Sequence, residues 1–174
     1  YQCICKSGTG VTVSWHPLIM DELYNRLVPT HAESMWNFSL YQPEIVVLNL
    51  FQNDSWLVNF PEHKEFKKRF GATAPTDEYI VEAYQTLVSK IRSHYPQANI
   101  ICTLGSMDAV KNGSKWRDFI ELAVRKMKDQ KIFTHYMPYN NSKGHPSISD
   151  HQQMAMSLIK FIDQNIKWSA NLKN

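Results

Sequence analysis

The chain has no apolar run approaching the roughly 18 residues that a membrane span needs. Cysteine is scarce. Three residues, an odd number with no C-x-x-C pair, indicate neither a disulfide framework nor a thiolate metal site. Glycine is sparse at six of 174 residues, and there is no low-complexity tract, internal repeat or linker. Neither sign of charge dominates. Lys and Arg number 19 against 16 Asp and Glu, and a net +3 is too small to imply a nucleic-acid partner by itself. The chain lacks a signal peptide and starts at Tyr1, so it is expected to be processed or a piece of a longer protein.

What is present is an ordinary globular balance, 43% apolar and 20% charged, which excludes a disordered chain. The length argues for one domain over 1–174. Five Trp, eight Tyr and eight Phe suit a flat-ligand surface or a core equally well. Cys3, Cys5 and Cys102 read as buried free thiols.

Apolar spacing places the elements. Residues 1–6 read as a short strand stopped by Ser7-Gly8-Thr9-Gly10, and 17–28 as a helix with Pro17 near its start. Residues 44–50 are the clearest strand, and their near-continuous apolar run predicts burial on both faces. A charged surface helix is expected over 61–70. Ile80, Tyr84, Leu87 and Ile91 repeat at helical spacing over 77–95. Residues 99–104 form a strand, Ser114 caps a helix over 115–128, and 131–136 is a weaker strand. Ser149 with Gln152 makes a capping box for a last helix striped with Met154, Leu158, Ile162 and Ile166. This alternation predicts a parallel α/β sheet covered on both faces, with sites beyond the carboxyl ends of the strands. Segments 7–10, 51–56 and 137–147 fall there.

Each segment carries candidate chemistry. Asn53 follows a strand and can donate a side-chain amide to a developing oxyanion, although Asn-Asp is also ordinary turn chemistry. His145, held between Gly144 and Pro146, suits a general base; a lone loop His is more often plain decoration. His151 reads as structural, and its spacing from His145 fits no common zinc pattern. The N–H groups of residues 7–10 can point at an anion, or simply form a tight turn.

Together these segments resemble the SGNH (GDSL-like) hydrolases, and most closely the family 2 carbohydrate esterases. The resemblance rests on Lys6-Ser7-Gly8-Thr9-Gly10-Val11; on Trp36-Asn37-Phe38-Ser39, the run 43–50 and Asn53-Asp54; on Ile91-Arg92, Tyr95-Pro96 and 100–102; and on His145-Pro146-Ser147 with His151 and Met154-Ala155. It implies a three-layer αβα, flavodoxin-like parallel sheet and a carboxylic ester hydrolase that removes acetyl groups from carbohydrate. His145 is the implied base, and Gly8 and Asn53 are the implied oxyanion donors. Trp56 and Gln52 are expected to bind substrate; Trp56 reads as sugar platform or core about equally, and Trp36 as core. No metal or organic cofactor is implied. Secretion or a periplasmic location follows from polymeric substrates. The sequons at Asn37, Asn53, Asn112 and Asn140 read as chance.

Three departures matter. Phe51 stands where the family usually has Gly, with altered substrate fit the expected result. Ser142 and Lys143 stand where an Asp commonly precedes the His, so a Ser–His dyad is expected. The Gly-Asp-Ser block with the nucleophile is absent. Its strand belongs between this chain's first two strands, so the nucleophile is expected from a segment upstream of the chain. Ser7, Ser55 and Ser106 are poor substitutes, because none follows a strand-to-helix elbow. Two other readings stay open: a flavodoxin-like FMN protein using residues 7–12 as its phosphate loop, and a non-catalytic carbohydrate-binding relative.

Overall fold

The computed structural model describes residues 1–141 and 144–167. Its sheet has three parallel strands in the order β1 (Ile45–Asn49), β2 (Asn99–Leu104) and β3 (Ile132–Tyr136). Register places Leu48 beside Cys102, and Cys102 beside Thr134. Parallel neighbours need crossovers, and helices supply them. These are α1 (Met20–Leu23), α2 (Gln52–Leu57), α3 (Lys64–Phe70), α4 (Asp77–His94), α5 (Lys115–Met127) and α6 (Ile148–Asn165).

The long helices form where periodicity and caps agree. Thr76 accepts from the Tyr79 N–H to start α4, with Asp77 and Glu78 at the positive end. Ser114 caps α5 as expected. The α6 box, however, is Ser147 with Asp150 rather than Ser149 with Gln152. Asp150 reaches back to both the N–H and the hydroxyl of Ser147, and a charged acceptor there outcompetes an amide.

Alternation along the strands creates the layers. Tyr136 donates to the Arg117 carbonyl of α5. The next residue back, His135, stacks on Phe161 of α6 at 4.7 Å. α5 and α6 therefore cover opposite faces of β3. Tyr84, Leu87, Val88 and Ile91 of α4 join Leu48, Ile100, Cys102 and Leu104 in one core with Ile120 and Ala123 of α5.

Several expectations fail on the amino-terminal side. Residues 1–6 form no strand, because no strand lies beside them to complete a ladder. The helix expected over 17–28 is only α1. Beyond it the chain turns outward, exposing Leu27 and Val28, and Arg26 bridges antiparallel to Met35. β1 is not buried on both faces: Val47 is 43% exposed, and one edge is open. Cys3 and Cys5 are exposed, their sulfurs 3.5 Å apart, and only Cys102 is a buried thiol.

Candidate active site

Between residues 1–9 and the open edge of β1 lies a groove of about 1040 Å³. Its floor is the apolar run Ile45–Leu48, and Gly8, Gln52, Asn53, Trp56 and His145 line it. The segments expected to converge beyond the strand ends do so.

Asn53 sits in the first turn of α2, half-buried, and donates from Nδ2 to the Thr9 carbonyl at 2.9 Å. An amide nitrogen has two hydrogens, so a second donor remains for a ligand. Gly8 takes φ +76°, a conformation natural to glycine, and its carbonyl accepts from the Trp15 N–H at 2.9 Å. Among the described residues, the Gly8 N–H donates to no protein group. His145 is exposed at the groove mouth and also lines a small adjoining cavity of about 110 Å³ with Trp56, Met107, Asp108, Asn140 and Gly144.

The N–H groups of residues 7–10 do not converge on an anion, since Thr9 donates to the Lys6 carbonyl and Gly10 to Ser14; the next three N–H groups converge on the chain's own carboxyl group. Asp54, fully buried, accepts from the Val11 N–H at 3.0 Å, the Thr12 N–H at 2.6 Å, the Val13 N–H at 3.3 Å and the Thr12 hydroxyl at 2.7 Å. Burial pushes its carboxyl pKa up, and these four hydrogen bonds oppose that. A cofactor phosphate would find these donors taken, and no helix starts before Met20. The flavodoxin-like reading is therefore set aside.

Gln52 accepts from the Ala109 N–H at 3.1 Å and donates to Ser55, which ties α2 to the loop after β2. Trp56 donates to the Asp108 carboxylate at 3.4 Å. Trp36 is half-buried and packs against the core, facing a separate cleft behind residues 1–6. Ser142 and Lys143 lie outside the described residues. No group of three or more metal-ligating side chains comes together among the described residues.

No family model matches the chain. It is 32% identical over 95% of its length to cellulase/esterase CelE of Acetivibrio thermocellus, covering 20% of that protein. It is 24% identical over 96% of its length to an acetylxylan esterase / glucomannan deacetylase of Cellvibrio japonicus, covering 45%. A family two carbohydrate esterase from Clostridium thermocellum, solved with cellohexaose, superposes with a TM-score of 0.72 at 30% identity, over 93% of this chain and 49% of that one. The chain is similar to family 2 carbohydrate esterases over nearly its whole length. It spans about half the length of that solved esterase and less of the two curated relatives.

The esterase resemblance makes Phe51 informative. This residue adopts φ +85°, the left-handed region that a bulky side chain rarely enters and the family's usual glycine enters freely. Its ring points away from the groove and is fully buried against Tyr84 at 4.7 Å and Trp116 at 5.0 Å. The ring is part of the core and does not line the groove where a change in substrate fit was expected. Two residues escaped the sequence reading. Asp54 stands in the Asn53-Asp54 block with no role of its own in the sequence, and Asp108 has no local signal, since it reaches Trp56 across 52 positions.

Proposed function

We propose that the chain is the larger part of an SGNH-type carbohydrate esterase domain that removes acetyl groups from a poly- or oligosaccharide outside the cytoplasm. The nucleophilic serine comes from a segment of the same polypeptide upstream of Tyr1. The observation that carries this reading is the groove: an open strand edge, an apolar floor, and Gly8, Asn53 and His145 together in its lining. An extended segment running parallel to β1 would pair with its free backbone groups and end beside those three residues.

None of the chain's own candidate serines suits the role. The Ser55 hydroxyl is spent on the Gln52 carbonyl, Ser106 is buried, and Ser7 lies on a turn without a following helix. In the reaction the upstream serine oxygen attacks the ester carbonyl while His145 takes its proton. The oxyanion accepts from the serine N–H, the Gly8 N–H and the second Asn53 hydrogen. Collapse expels the sugar alcohol, which receives the proton from His145, and water repeats the sequence to release acetate. Trp56 offers a face beside His145 on which a sugar ring can stack. Gln52 shapes the same wall.

The test compares this chain alone with the polypeptide that includes its upstream segment, using an activated acetyl ester. Turnover only in the longer polypeptide supports the reading. Equal turnover by the chain alone, or none by either, refutes it.

A further inference from the structure

The loop over residues 8–15 has no regular secondary structure, yet Thr9, Val11, Thr12, Val13 and Ser14 are all at most 3% exposed. Buried backbone N–H groups outside helices and strands need partners, and here one side chain serves three consecutive ones. Gly10 lies against this arrangement. A Cβ there would sit 2.0 Å from the Val13 carbonyl oxygen and 2.6 Å from the Asp54 carboxylate. The Gly10 N–H is held by the Ser14 hydroxyl at 2.9 Å.

Asn53 and Asp54 are consecutive in α2, so their side chains leave the helix about 100° apart. Asn53 grips the loop at Thr9 and Asp54 grips it at residues 11–13. The loop is thus held at residue 9 and again at residues 11–13, and Gly8 precedes the first grip point.

We propose that Asp54 is a positioning residue for the oxyanion pocket: its buried carboxylate fixes the loop so that the Gly8 N–H and the Asn53 amide converge on one point. This rests on the esterase reading of those two donors. Oxyanion stabilisation depends on donors already in place, so a loop free to shift loses rate while substrate still binds. An amide in place of the carboxylate puts an NH2 donor where Oδ2 faces the Val11 N–H, and removes the negative charge to which the Thr12 and Val13 N–H groups and the Thr12 hydroxyl donate at Oδ1.

The test uses the polypeptide with its upstream segment and an activated acetyl ester. In Asp54→Asn, kcat falls about 100-fold or more, with KM changed by less than about threefold. Inhibition by a boronic acid, which mimics the tetrahedral intermediate, weakens in parallel with kcat/KM. A purely structural residue would lower the melting temperature and leave kcat per folded molecule unchanged, and that result overturns the proposal. If Asp54→Asn does not fold, Thr12→Val decides. It keeps the three amide donors and deletes only the hydroxyl bond, and a fall in kcat of about fivefold at constant KM is expected; unchanged kcat overturns the proposal. His145→Ala is run alongside. An inactive His145→Ala with a fully active Asp54→Asn refutes the positioning role alone, whereas an active His145→Ala refutes the esterase reading and this proposal with it.

Discussion

The two sides of the β1–β2 pair are built differently. β2 is enclosed: Ile100, Ile101, Cys102 and Leu104 are each 0% exposed, with β1 and β3 on its edges and helices over its faces. β1, one strand away and equally apolar in sequence, leaves Val47 43% exposed and faces the groove with its second edge. The same residue types thus make a closed core on one side and line an open slot on the other. The groove holds the candidate chemistry, because Gly8, Asn53 and His145 all line it.

The largest expected effects bear on the slot. His145→Ala in the polypeptide with its upstream segment loses on the order of 10⁴-fold in kcat for an acetyl ester, with an unchanged melting temperature because the ring is exposed. Asn53→Ala loses about 3–4 kcal/mol of transition-state stabilisation, read as a fall in kcat with little change in KM. A mutated slot that still turns over at the normal rate would leave the contrast without functional meaning.

The enclosed side responds in stability instead. Phe51→Ala empties a fully buried site between Tyr84 and Trp116, and about 3–5 kcal/mol is lost, measured by urea unfolding. Val47→Ala on β1 costs under about 1 kcal/mol in the chain alone. A loss of about 2 kcal/mol or more at Val47 would mean that β1 is as well enclosed as β2.

Most of the enclosed side was legible in the sequence. The strands over 44–50, 99–104 and 131–136 and the helices over 77–95 and 115–128 all follow local pattern and caps. The slot side was not, since a strand exists only by pairing. The alternation in Tyr1–Lys6 has no neighbour to pair with, and the apolar run of β1 looks the same whether one edge is filled or open. The individual residues around the slot were nameable, but their geometry depends on contacts far apart in sequence. Asp54 reaches back more than 40 positions to hold the loop. Phe51 shows the same limit: a missing glycine was visible, while the left-handed backbone beneath it was not.

Smaller effects sharpen the comparison. Thiol reagents modify Cys3 and Cys5 at once in the native chain, whereas Cys102, pushed up to about 12 by burial, reacts only on unfolding. Reaction of all three at one rate would contradict the enclosed core. The mildest change is at the α6 cap. Hydrogen bonds from Ser147 hold the Asp150 carboxyl below its usual range. A depressed folded value contributes stability above the unfolded pKa near 4, lost as pH falls through the folded one. Asp150→Asn should flatten that acid limb slightly in melting curves, and an identical pH profile would refute the cap's role.

The central claim is that a strand from upstream fills the slot and brings the nucleophile. It is tested most directly by treating the polypeptide with its upstream segment with a fluorophosphonate and mapping the adduct by mass. A single adduct on a serine upstream of Tyr1, lost in His145→Ala, is the expected result. An adduct on Ser7, Ser55 or Ser106, or no adduct at all, would contradict it.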